Sequence, residues 1–132
     1  MLRGIYHFYA RRIRSNFPGF FREFAVYIAA VVLAAGLDFA STSQFMTDGG
    51  IDDELHPVIR LVSHLFGPVT GPLIGKLGQL AAVLFLALVF RRAARVIFIP
   101  VTLIYLYAAW FNTFGVYLYT PLFLRLLSRW LP

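Results

Sequence analysis

Three long apolar stretches constrain this chain more than any other feature: residues about 24–45, 72–90 and 96–119. Each is long enough to cross the hydrocarbon core of a bilayer, which takes about 20 residues of helix. They are too long for barrel strands and lack the strict alternation that strands of a barrel show. Only 14% of the 132 residues are charged and 60% are hydrophobic, where a soluble domain carries about a quarter charged residues. So much apolar surface exceeds what one small core can hide. A soluble globular enzyme and a disordered chain are both excluded. The absence of cysteine removes disulfides, thiolate catalysis and cysteine-ligated zinc or iron–sulfur clusters. The expected fold class is all-α integral membrane, with three transmembrane helices plus short amphipathic interfacial helices. Residues 1–22 form a basic segment ahead of a three-helix transmembrane domain, 23–132.

A secretory signal peptide is the competing reading of the first stretch, because Ala34-Ala35-Gly36 mimics a cleavage site. The basic region that precedes it is too long for that, so a retained transmembrane helix is expected. Orientation follows the basic residues. Arg3, Arg11, Arg12, Arg14 and Arg22 precede the first span, and Arg91, Arg92 and Arg95 lie between the second and third. The loop between the first two spans instead holds Asp48, Asp52, Asp53 and Glu54. The N-terminus is therefore expected in the cytoplasm and the C-terminus outside, with Arg60, Arg125 and Arg129 as exceptions. A bacterial cytoplasmic (inner) membrane fits this asymmetry. With a formal net charge of +6, the cytoplasmic face is expected to prefer anionic lipid headgroups, through Arg11, Arg12, Arg14, Arg91, Arg92 and Arg95. Nucleic acid is not an expected partner, since the arginines flank spans rather than form one stripe.

Three segments fall outside the spans. Residues 1–22 mix aromatics and arginines and break at Asn16-Phe17-Pro18-Gly19. They read as a helix in the cytoplasmic interface, with a partner-binding arm as the alternative. Residues 57–66 predict an amphipathic helix on the outer surface. Its apolar face is Val58, Ile59, Leu61, Val62, Leu65 and Phe66; its polar face is Arg60, Ser63 and His64. Pro57 suits the first helical turn. Residues 121–131 predict a C-terminal interfacial helix anchored by Trp130.

Polar groups inside the spans are the most informative signal, because a charge in hydrocarbon costs several kcal/mol unless paired or hydrated. The first span holds Asp38, Ser41 and Thr42, the second Lys76 and Gln79, the third Asn112 and Thr113. At about 1.5 Å per residue, Asp38, Lys76 and Asn112 each come out roughly 6–9 Å below the outer end of their spans. That shared depth predicts an Asp38–Lys76 ion pair, with Thr42 and Asn112 completing its hydrogen bonds. Gly71, Gly75 and Gly78 form a small-residue stripe beside Lys76, expected to pack the second span closely on the Ala30–Ala34 face of the first. Gly67, Gly71 and Gly75 equally suit a homodimer contact.

Such a pair is read first as a latch that specifies helix register. The functional alternative is a site open to the outer face, with Glu54 and His56 at its rim, able to relay protons or hold a small ligand. His56 and His64 have no third ligand at a convincing spacing, so helix capping outweighs a metal or haem role. No metal or cofactor is expected. Most of the tyrosines and tryptophans suit interfacial belts, although Tyr105 and Tyr107 lie deeper. No G-x-S-x-G, H-E-x-x-H or Gly-rich phosphate loop occurs.

Taken in order, Asp38-x-x-Ser41-Thr42, Gly49-Gly50, Glu54-x-His56-Pro57 and Lys76 resemble the pattern of a family of small uncharacterised prokaryotic multi-pass membrane proteins. That pattern is D-x-x-[ST]-T, a Gly-rich turn, E-x-N-P and a lysine in the next helix. The likeness covers about residues 38–76, and His56 stands where the pattern has Asn. It implies a compact helical membrane fold in which Asp38, Thr42, Glu54, His56 and Lys76 matter together. It implies no activity.

The function expected from these features is that of a non-enzymatic accessory or scaffold subunit that packs with other membrane proteins or with itself. An oligomeric transport or proton-relay unit using Asp38, Lys76 and Glu54 is the alternative. An intramembrane enzyme or lipid-modifying component with His56 or Glu54 as general base comes third.

Overall fold

The computed structural model describes residues 2–115. The expected C-terminal helix at 121–131 and the end of the third span, including Tyr117 and Tyr119, lie outside the described residues. Every regular element in the described part is helical. The order is α1 (Leu2–Asn16), α2 (Phe20–Glu23), α3 (Ala25–Gly49), α4 (Pro57–Phe66), α5 (Thr70–Val89) and α6 (Ala94–Phe114). Two 3₁₀ turns, Ile51–Asp53 and Arg91–Ala93, complete the connections. Helices α3, α5 and α6 are long and apolar enough to cross a membrane. The fold is that of an all-α multi-pass membrane protein with shorter accessory helices.

One expected span boundary shifts clearly. α3 continues to Gly49, four residues past the expected end at Phe45. Its polar last turns hold themselves in helix: Thr47 Oγ1 donates to the Ser43 carbonyl (2.7 Å) and Gln44 Nε2 to Asp48 Oδ2 (2.7 Å). Gly50 then stops it at φ 115°, ψ 155°, a conformation that a Cβ would strain. α6 is helical to Phe114, and Gly115 after it takes up extended backbone (φ −64°, ψ 142°); the expected continuation to Tyr119 lies outside the described residues.

The main contact is α3 on α6. Ala34 and Ala35 of α3 let the backbones approach, and Val31, Phe98 and Ala94 fill the space between them, with Phe20 and Phe24 closing the arginine-rich end. Packing of the α5 helix is different: its most extensive partner is α4. A Cβ at Gly71 would fall on the backbone and hydroxyl of Ser63, and one at Gly75 on the side chain of Ile59. The glycine stripe therefore seats α4, not the first span as expected, and Gly78 faces open space. The polar face assigned to α4 also needs correction. Ser63 is fully buried beside Ile59, while Val58, Leu61, Leu65 and Phe66 are exposed. Only a side chain as small as Ser63 fits over Gly71.

At the arginine-rich end, α1 packs against α5, with Tyr9 and Phe85 in ring contact (6.0 Å between centroids). Asn16 Nδ2 donates to the Leu88 and Val89 carbonyls (2.8 and 3.0 Å), which are orphan acceptors at the end of α5. Arg91 Nη1 in turn donates to the Asn16 and Pro18 carbonyls (2.8 and 2.9 Å) at the end of α1. Its Nε and Nη2 hold Glu23 Oε2 (3.0 and 2.5 Å). Arg91 is thus engaged within the chain, unlike the lipid-facing role expected for it. Arg11 and Arg14 line a shallow basic pocket with His7. Arg12 stacks over Phe8 (5.4 Å) and Arg95 over Tyr27 (6.0 Å), while Arg92 is exposed.

Candidate functional site

Asp38 sits in the middle of α3 and is 2% exposed. An ionised carboxylate there needs a cation and hydrogen-bond donors to offset its lost hydration. The cation comes from a neighbouring helix and a further donor from α3 itself. Lys76 Nζ of α5 donates to Asp38 Oδ2. Thr42 lies one turn beyond Asp38, on the same face, and its Oγ1 donates to Asp38 Oδ1 (3.2 Å). From α6, Asn112 Nδ2 donates to Thr42 Oγ1 (3.0 Å) and to Ser41 Oγ (3.2 Å). Ser41 Oγ in turn donates to the Asp38 carbonyl (3.0 Å). The four residues Asp38, Thr42, Lys76 and Asn112 thus form one network across three helices.

A second link runs between α5 and α6. The Lys76 ammonium lies over the Tyr105 ring, 4.8 Å from its centroid, where the ring quadrupole attracts it. Tyr105 OH donates to Gln79 Oε1 (3.1 Å). The sequence marks Tyr105 only by its depth in an apolar span. Its partner Gln79 was visible as a polar residue, one turn beyond Lys76, but nothing in the sequence joins the two.

The network forms one wall of a cleft of about 670 Å³ between α5 and α6, with α3 behind it. Asp53, Glu54 and His56 line one end. The other end is apolar, lined by Ala82, Val83, Val101 and Ile104. All five residues singled out by the resemblance, Asp38, Thr42, Glu54, His56 and Lys76, line this cleft.

Glu54 and His56 also shape the start of α4. The His56 N–H donates to Glu54 Oε1 (2.8 Å), and the Ile59 N–H reaches His56 Nδ1 at 3.4 Å. His56 is therefore the N-cap, in a role that Asn fills equally well. His64 pairs with Asp52 (3.0 Å) on the exposed side of the same loop. Among the described residues, no three His, Asp or Glu side chains converge as metal ligands.

Chemically, the site offers a charge-neutral ion pair, unused N–H donors on Lys76 and Gln79, and an apolar floor. No protein-family model, curated protein or solved structure matches the chain.

Proposed function

We propose that this chain is a non-enzymatic accessory or scaffold subunit of a membrane, packing against other membrane proteins or against copies of itself. The observation that carries this reading is the closed Asp38–Lys76 pair. It consumes the charge deep inside the spans and leaves the bundle to present apolar side chains outward. Leu33, Leu77, Leu103 and Ile104 are each more than half exposed, and only lipid or another apolar helix suits them. The arginines at one end and the acids at the other support an orientation with the N-terminus in the cytoplasm, in a bacterial inner membrane. Arg11, Arg14 and Arg92 are exposed and suit anionic headgroups.

Purification in mild detergent with mass measurement tests the reading. A defined oligomer or a co-purifying membrane protein is expected, and a strictly monomeric, partnerless particle overturns it. The cleft favours a second reading, an oligomeric transport or proton-relay unit, because it reaches Asp38 and Lys76 from the acidic end. Proton or solute flux in liposomes that disappears in Asp38→Asn supports this alternative, and absence of flux from the parent protein removes it.

A further inference from the structure

We infer that the cleft between α5 and α6 binds a single lipid chain whose head is uncharged and carries hydrogen-bond acceptors. Its volume, about 670 Å³, falls among pockets that bury a small ligand, roughly 300–1,000 Å³. From Asn112 to Val101 it follows α6 for about 16 Å at 1.5 Å rise per residue. Ile104 and Tyr107, both more than half exposed, form a lip on the side that faces lipid. A chain can therefore slide in sideways, its tail against Ala82, Val83 and Val101.

The head is selected by what the polar wall leaves unused. Lys76 is buried and carries three N–H donors. One serves Asp38. Gln79 accepts from Tyr105 through Oε1, and its amide donors meet no protein acceptor in the described residues. Both groups ask for an acceptor, such as a carbonyl, ester or hydroxyl oxygen. A cationic head meets the carboxylates Asp53 and Glu54 at the rim but leaves the Lys76 and Gln79 donors without an acceptor. An anionic head meets Asp38, Asp53 and Glu54, three carboxylates against one ammonium. The neutral acceptor head alone satisfies the donors without adding charge in a low-dielectric site. This occupant is independent of the oligomeric assembly proposed above.

Three probes with the same oleyl-type tail separate these cases: monooleoylglycerol, oleate and oleylamine. The full-length chain is loaded with each in mild detergent, and retained adducts are weighed by native mass spectrometry. One monooleoylglycerol per chain is expected, with the charged probes held about tenfold more weakly. Gln79→Leu should weaken retention of the neutral probe by up to about tenfold. Ala82→Trp fills the apolar end without touching the ion pair and should abolish retention. Leu77→Ala, on the outward face of α5, should leave it unchanged. Equal retention of the three probes overturns the inference. So does full retention by Ala82→Trp, or a mass showing that a second copy of the chain excludes all three probes.

Discussion

Two ion pairs hold opposite halves of this molecule, and they work by different physics. Glu23–Arg91 lies at the arginine-rich end, with side chains 45% and 27% exposed. Asp38–Lys76 lies inside the bundle, with side chains 3% and 11% exposed. Water and salt screen the first pair, so its Coulomb energy is small. What Arg91 adds there is mostly hydrogen bonding to the carbonyls that end α1. For the second pair screening and rehydration are much reduced, so each charge is tolerable chiefly because the other is present. One pair trims a helix end; the other is a condition for the helices to sit together at all.

The comparison is broken most severely at the buried pair. Asp38→Lys or Lys76→Asp leaves like charges inside the bundle, and each should cost about 3–5 kcal/mol or more in unfolding free energy. The double reversal should recover most of that loss. Unfolding in detergent, followed by helical circular dichroism, measures both, and a double variant as unstable as the singles denies that the contact is the source of the effect. A smaller effect is expected at the arginine-rich end from Asn16→Ala. It strips the Leu88 and Val89 carbonyls of their donor and should destabilise by about 1–3 kcal/mol, with faster amide exchange in the last turn of α5. The smallest belongs to Glu23→Gln. Removing a half-exposed carboxylate should change stability by no more than about 1 kcal/mol, and the difference should vanish in high salt. A salt-independent loss would place Glu23 in the same class as Asp38.

The buried network was legible in the sequence for the reason that makes it strong. An Asp, a Lys and an Asn in otherwise apolar runs have few ways to be satisfied, so their depths alone suggest that they meet. The glycine stripe was harder to assign. Gly71 and Gly75 announce that another backbone comes close but not which one, and the short α4 took the place expected for the first span. The latch of Asn16, Glu23 and Arg91 left no signal, because Arg91 lies about seventy residues from the other two and all three are ordinary polar residues beside a turn. The end of α3 was missed for a local reason: Ser41 to Asp48 reads as polar, yet its i,i+4 side-chain bonds keep it helical. For the site, Asp38, Thr42, Lys76 and Asn112 were anticipated together, whereas the link from Tyr105 to Gln79 needed the fold. That His56 stands where the resembled pattern has Asn makes physical sense with the cap in view, since either residue offers an acceptor to the Ile59 N–H.

The crossed closure at the arginine-rich end has a mechanical consequence. Asn16 seals the terminus of α5, and the arginine that follows α5 seals the terminus of α1. Neither rod can slide along its axis without uncapping both. Leading segment and central span are thereby geared together, so that an axial displacement of α1 is passed on to the helix that carries Lys76.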